Sequence, residues 1–332
     1  MRAIVNKFGP PLESIQLENS TPESLSPHQL QLKMKYSSIN PSDLITISGA
    51  YRSRIQLPFI PGFEGMGIIN NCYDTKSSFT IGDRVLPIGS AGSWQTYRNI
   101  DEKWCFSIPD YLSDEQAATS YINPMTAWLM LTEQLNITEG MSLVINGATS
   151  AIGLMIIRML NHLGVIPIAL VRRDNTESLF ENCQLSAIIN TQNSTSYQPF
   201  HSLKEHGGVD AILDCIGGDQ ALEQAMLLKI NGQFINYGLL SGVPISARFW
   251  QERPDVKFSY FHLRQWIHSA SKKDIQHKLN EVMGLVHKGI AETKIDKIVP
   301  IALLHSAIEE IQNRTVNNNG KILISFLNSR SL

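Results

Sequence analysis

Apolar and polar positions change rhythm twice along this chain, and the changes divide it. From Gln29 to Tyr36, Leu30, Leu32, Met34 and Tyr36 alternate with polar residues, the two-residue period of a half-buried strand. The segments beginning Gly62-Phe-Glu-Gly-Met-Gly and Gly82-Asp-Arg-Val-Leu-Pro continue as short strands punctuated by glycine, which predicts a small β-rich domain whose sheet curls on itself. After about residue 113 the texture becomes helical: Ser113-Asp-Glu-Gln supplies capping-type residues, and the apolar spacing runs through Trp128 to Leu135.

From Ser142 onward strands and helices alternate. Strands are expected at Ser142–Asn146, Ile166–Val171, Ala187–Asn190, Val209–Cys215 and Gly232–Gly238. Helices are expected at Ala151–Leu163 and Asp219–Lys229, with a further helical segment before Ala187. These strands are unbroken apolar runs, the mark of a parallel sheet covered on both faces, so the fold class is α/β with a doubly wound sheet. Helices at Lys272–His287 and Leu303–Gln312, a turn at Asn317–Gly320 and a strand at Lys321–Phe326 close the chain.

Length agrees with this division, because 332 residues exceed the size at which one core stops growing. A net charge of −2 gives no global attraction to nucleic acid or acidic membranes, so an anionic ligand needs a local site. Cys72, Cys105, Cys183 and Cys215 lie too far apart in sequence for a zinc cluster or a dense disulfide framework, and read as packing residues in a reducing compartment. Met1–Val5 already reads as a strand rather than a leader. Ala151–Val171 is apolar enough to suggest a membrane span, but Arg158, Asn161, His162 and a Gly-Val-Ile-Pro turn interrupt it. A cytoplasmic protein without membrane or nucleic-acid partners is expected.

After the strand at Ser142–Asn146 comes Gly147-Ala-Thr149-Ser150-Ala151-Ile152-Gly153, and then a helix. A strand-turn-helix of this kind surrounds a pyrophosphate with backbone N–H groups and a helix N-terminus. The motif is weak by itself, since Ala151 takes the middle glycine's place, and a turn that merely packs a helix is the competing reading. About 20 residues further on, where an acidic residue would accept ribose hydroxyls, stand Arg172 and Arg173. Guanidinium groups bind a 2′-phosphate that a carboxylate would repel, so NADP(H) is the expected cofactor. Two solvated surface arginines are the bland alternative, and Asp174 remains within reach of a ribose hydroxyl.

Four segments carry a family resemblance: Asn40-Pro-Ser-Asp-Leu with Ser48-Gly-Ala-Tyr51, Pro61-Gly-Phe-Glu-Gly-Met-Gly67, Asn123-Pro-Met-Thr-Ala-Trp128 and Val209-Asp-Ala-Ile-Leu-Asp-Cys-Ile-Gly-Gly218. In order and spacing the chain resembles the quinone oxidoreductase and 2-enoyl thioester reductase branch of the medium-chain dehydrogenases/reductases. The resemblance implies a GroES-like β-rich catalytic domain from 1–120 plus 296–332, a Rossmann domain from 121–295, the cofactor in the cleft between them, and a homodimer. It also implies zinc independence. Zinc-dependent relatives have a histidine where Phe63 stands and a cysteine at the place of Asn40, and neither residue here completes a tetrahedral site.

Roles follow from the same resemblance. The implied reaction delivers a hydride to an activated C=C bond of a small-molecule enoyl thioester, enal or enone. Tyr51 stands where the related enoyl reductases carry a proton-donating tyrosine; a phenol is protonated at neutral pH and can donate. Asn40 and Asp43 would fix its loop, with Asp43 capping a short helix. Asn123, Thr126, Tyr237, Gly238, Phe261, Leu263 and Lys321 would line the cofactor. The relatives' Phe-Trp-Leu is Phe261-His262-Leu263 here, with Trp266 following, so His262 and Trp266 would give the substrate pocket a different lining. The other histidines form no ligand pattern. Two further readings stay open: an NADPH:quinone oxidoreductase, and a non-catalytic NADPH-binding regulatory protein.

Overall fold

The computed structural model describes residues 1–192, 203, 205, 207–313 and 320–327. The first 125 residues contribute β1 (Arg2–Val5), β2 (Ile15–Glu18), β3 (Gln29–Ser38), β4 (Gly65–Cys72), β5 (Arg84–Pro87), β6 (Tyr97–Asp101) and β7 (Cys105–Ser107). Next come β8 (Leu143–Ile145), β9 (Ile168–Val171), β10 (Ala187–Asn190), β11 (Val209–Asp214), β12 (Leu228–Asn236) and β13 (Lys257–Tyr260). Finally β14 (Ile295–Pro300) and β15 (Lys321–Ser325) return to the first set. The chain forms two compact units, 1–125 with 264–332, and 126–263.

The first unit is built on a sheet ordered β14-β15-β3-β4-β5-β7. Strand β3 is its spine. One edge pairs with β4, while the other pairs with β6 over Gln29–Lys33 and with β15 over Tyr36–Ser38. The alternation in β3 turns Leu30, Leu32 and Met34 into one core with Ile322, Ile324 and Trp94. Strands β6, β7 and β14 were not legible as strands. Each is short, and β14 buries no residue fully.

Residues 264–295 belong to this unit, whereas the sequence reading gave them to the other domain. Helix Lys272–His287, read with those limits, buries Ile275, Leu279, Val282, Met283 and Val286. Its polar side is tied to the β-rich part: Gln276 accepts from the Ser107 N–H at 2.9 Å and donates to its carbonyl at 3.2 Å, and Lys272 donates to the Glu102 carbonyl at 2.9 Å. Apolar periodicity announced the helix and said nothing of which sheet it would cover.

In the second unit all six strands are parallel, ordered β10-β9-β8-β11-β12-β13. The order reverses between β8 and β11, the point at which doubly wound sheets open a crevice at their carboxyl ends. Val144, Ile212 and Phe234 centre the core. The sixth strand, Lys257-Phe-Ser-Tyr, was missed: it lies at the sheet's edge and alternates instead of forming an apolar run. The turn expected at 317–320 falls largely outside the described residues, as do His201 and His206.

Candidate functional site

Strand β8 delivers the glycine turn to the reversal point of the second unit. A Cβ on Gly147 would stand 2.5 Å from Cys215 Sγ, and one on Gly153 would stand 2.5 Å from the Gly147 carbonyl oxygen. Neither contact is possible for a real side chain, so both positions require glycine. Ser150 caps the helix Ala151–His162, its Oγ accepting from the Gly153 N–H at 3.1 Å. Thr149, Ala151 and Ile152 complete the turn and first helical residues, all half-buried. A helix that begins this way leaves first-turn N–H groups free for an anion.

Beside this turn, β11 ends in Asp214, which is fully buried. Its carboxylate is held entirely by neutral donors: the side-chain amides of Asn146 and Asn236 (the latter at 2.6 Å) and the N–H groups of Ile216 at 3.0 Å and Gly217 at 3.1 Å. Asn146 also accepts from the Cys215 N–H at 3.0 Å and donates to Gln224 at 3.0 Å. The network locks the turn after β11 against the one after β8. Burial, then the nearby Asp214, pushes the Cys215 thiol up to about 12, so it is a neutral packing group. Tyr237 places its hydroxyl against that thiol with no hydrogen-bond partner at normal distance. Burial first, then Cys215, drives its pKa well above the phenol range. Gly238 packs on the Cys215 carbonyl, where a Cβ would come within 2.7 Å.

Arg172 and Arg173 follow β9, both exposed. Neither has an ion-pair partner among the described residues, and Arg172 is near enough to Cys215 to pull its pKa downward. Asp174 is engaged, accepting from Asn190 Nδ2 at 2.7 Å. Phe261 is buried and donates its N–H to the Asn236 carbonyl at 2.9 Å, followed by half-buried Leu263. His262 is exposed and stacks on Tyr260 with ring centres 6.1 Å apart.

The first unit gathers a second polar cluster around Glu64, which is fully buried at the entrance to β4. Its Oε2 accepts from Ser38 Oγ at 2.6 Å, Lys321 Nζ at 2.8 Å and Asn40 Nδ2 at 3.0 Å. Its Oε1 accepts the N–H groups of Tyr121 and Ile122 at 3.0 and 2.7 Å, at the start of helix Ile122–Leu129. A carboxylate there is stabilised by the helix dipole. Burial pushes the Glu64 pKa up, but Lys321 and the hydroxyl and amide donors outweigh it, and the net shift is downward. Lys321, expected to line a cofactor, is only 8% exposed and spends its charge on Glu64. Asn123 and Thr126, one turn apart and half-buried, ride on the helix that Glu64 anchors.

Asp43 caps the short helix as the sequence suggested, but from its first turn, as the reciprocal half of a capping box, and not from the N-cap position itself. The cap of Pro41–Ile47 is Asn40; Asp43 sits in the first turn, accepting from the Asn40 N–H at 2.8 Å and the Phe63 N–H at 2.9 Å. The Asn40 side-chain NH2 donates to Ser38 Oγ and Glu64 Oε2. Burial raises the Asp43 pKa to about 7 against those two N–H bonds. Tyr51 lies just beyond this pinned helix, 38% exposed, with the Arg54 guanidinium 5.9 Å from its ring centre. Trp266 is half-buried on helix Leu263–Ser269.

Sequence reasoning passed over Glu64, Asn146 and Asp214. A signal existed for the two acids, each ending or entering an apolar strand where an unpaired carboxylate is costly.

A β-rich unit and a parallel-sheet unit with a glycine turn at its reversal point are the two parts of a medium-chain dehydrogenase/reductase. Residues 26–110 match the alcohol dehydrogenase GroES-like domain and 186–324 the zinc-binding dehydrogenase domain. The mitochondrial enoyl-acyl-carrier-protein reductase of Caenorhabditis elegans is 31% identical over 87% of this chain and 84% of its own. Among solved structures, a Bacillus thuringiensis protein provisionally assigned as an NADPH:quinone reductase is 33% identical, with a TM-score of 0.91 over 98% of both chains. The Escherichia coli quinone oxidoreductase, solved with NADPH, shares the fold at a TM-score of 0.87 and 20% identity.

The chain belongs to the medium-chain dehydrogenase/reductase family, in the branch of quinone oxidoreductases and enoyl thioester reductases. It is an oxidoreductase of that family. Among the described residues no helix is long and apolar enough to cross a membrane. The relatives include mitochondrial enzymes, which do not support the cytoplasmic expectation.

Proposed function

We propose that the protein is an NADPH-dependent, zinc-independent reductase of an activated C=C bond in an enoyl thioester, enal or enone. The observation that carries this reading is the pairing of a turn in which Gly147 and Gly153 admit no Cβ with two arginines, free of ion pairs among the described residues, after the next strand. A pyrophosphate fits the first feature and a 2′-phosphate the second. In this reading Gly147–Gly153 takes the pyrophosphate, Arg172 and Arg173 hold the 2′-phosphate, and Tyr237, Gly238, Phe261 and Leu263 form the wall beside it. Asn123 and Thr126 are presented by the Glu64-anchored helix. Lys321 takes part only through Glu64.

Bound NADPH supplies the hydride. Tyr51 Oη holds the proton for the carbon next to the carbonyl, and Asp43 and Asn40 keep its loop in place. His262 and Trp266 line the acceptor's side. A second copy pairs along β13, the sheet's last strand, where Trp250 and Tyr260 are 43% and 53% exposed; light scattering that returned a monomer would remove that part.

The test is NADPH oxidation with crotonyl-CoA and, separately, with 1,4-benzoquinone. Tyr51→Phe should lower kcat for crotonyl-CoA on the order of a hundredfold or more while leaving NADPH affinity unchanged. Turnover of the quinone alone, insensitive to Tyr51→Phe, would favour the quinone reading suggested by the Bacillus relative's assignment. NADPH binding with neither acceptor reduced would leave the non-catalytic reading.

A further inference from the structure

A cavity of about 490 Å³ lies within the first unit, walled by the strand β1, the segment following Tyr51 and the loop before β6. Three arginines line it, Arg2, Arg54 and Arg98, and no acidic residue does. Arg2 is neutralised by Glu18 and Glu23, at 2.5 and 2.9 Å.

Arg98 is different. It is 3% exposed, and its guanidinium donates to the carbonyls of Pro87, Ser90 and Ala91 and to the hydroxyls of Ser90 and Ser93, at 2.9 to 3.3 Å. Every one of these acceptors is neutral. Among the described residues no carboxylate pairs with it. The nearby Cys105 gives no negative charge, since burial pushes that thiol up to about 12. Burial lowers the Arg98 pKa to about 10, which still leaves it protonated at neutral pH.

A buried cation without a counter-ion is costly. Holding the loop at residues 90–93 explains its hydrogen bonds. It does not explain why a second arginine shares the wall, exposed and likewise without an ion-pair partner among the described residues. That arginine, Arg54, donates its backbone N–H to the Tyr51 carbonyl at 2.9 Å and holds its guanidinium near the Tyr51 ring. The positive wall is therefore continuous with the segment that carries Tyr51.

We propose that this cavity binds a phosphate group, contacted by Arg54 and attracted by the buried charge of Arg98 behind the wall, and that the phosphate belongs to the carrier arm of the substrate. The second part rests on the proposed function and sharpens it: simple quinones and enals bear no phosphate, whereas a thioester of a phosphorylated carrier does. Arg54 is exposed, so its replacement leaves the fold intact.

Calorimetric titration with adenosine 3′,5′-bisphosphate, which has phosphates and no reducible bond, tests the site itself. Arg54→Gln should weaken binding on the order of tenfold, as the loss of one charge-assisted contact predicts. The Arg172→Ala/Arg173→Ala variant should bind it as the unaltered protein does. No binding, or binding lost only in the latter variant, overturns the site. Kinetics test the source of the phosphate. The ratio of KM for crotonyl-CoA to KM for S-crotonyl-N-acetylcysteamine should rise about tenfold in Arg54→Gln. Bisphosphate binding that depends on Arg54, with an unmoved KM ratio, would assign the cavity to a free phosphate and overturn the substrate assignment. Bisphosphate binding that depends on Arg54 in a protein that reduces neither thioester would uphold the site, overturn the carrier-arm assignment and remove the thioester from the proposed function.

Discussion

Glu64 in the first unit and Asp214 in the second are both fully buried carboxylates, and the two solve the same problem differently. Glu64 keeps its charge with a partner cation, Lys321, and with two N–H groups at a helix start. Asp214 has no cation partner among the described residues; side-chain amides and the N–H groups of its own turn surround it. The Glu64 arrangement joins segments 257 residues apart, β15 to the entrance of β4. Asp214 joins neighbouring strand ends of one sheet. An ion pair closes a long-range connection, whereas a ring of neutral donors sets the local shape of a turn.

The largest expected effect breaks the first arrangement. Glu64→Gln strands Lys321 as an uncompensated buried charge and should cost about 3–5 kcal/mol in denaturant unfolding of the first unit. Glu64→Gln/Lys321→Met should recover much of the loss; strict additivity of the two single changes would mean the pair is not coupled. Asp214→Asn leaves no charge behind and should cost less, about 1–3 kcal/mol, for its charge-assisted bonds. It should also weaken NADPH binding by loosening the turn after β8, and unaltered affinity in a folded variant would disconnect that network from the site.

The third effect is read as a slope, on the pH profile of the first unit. Glu64's lowered pKa gives stability that is present above its unfolded value and lost as acid titrates it. Asp43 has the opposite sign. Its pKa is raised to about 7, so its contribution is full below the unfolded value near 4 and fades as pH rises to about 7. The slope from one such proton is at most about 1.4 kcal/mol per pH unit. Asp43→Asn should remove it in denaturant unfolding measured from pH 4 to 8, and an unchanged profile would place the titrating group elsewhere.

The same contrast governs what could be read without a structure. The parallel sheet was legible because Leu143–Ile145 and Ile168–Val171 are buried on both faces and read as unbroken apolar runs. The glycine turn and the two arginines were legible because they occupy short, ordered spacings along one stretch of chain. Lys321 was noticed but not understood, since nothing local announces a partner as distant as Glu64. The capping role of Asp43 was legible because it reaches only three residues back, to the Asn40 N–H, whereas the bond from Asn40 to Glu64 exists only in three dimensions. Strand β13 escaped because an edge strand needs only one well-packed neighbour.

The central claim is that the turn after β8 and the arginines after β9 together read a phosphorylated nicotinamide dinucleotide. Fluorescence titration of the protein and of Arg172→Ala/Arg173→Ala with NADPH and with NADH tests it directly. The account predicts saturable NADPH binding that weakens by about 1–3 kcal/mol for each lost contact in the variant, while NADH binding barely changes. Equal losses for both nucleotides, or no saturable signal from either in the unaltered protein, would contradict it.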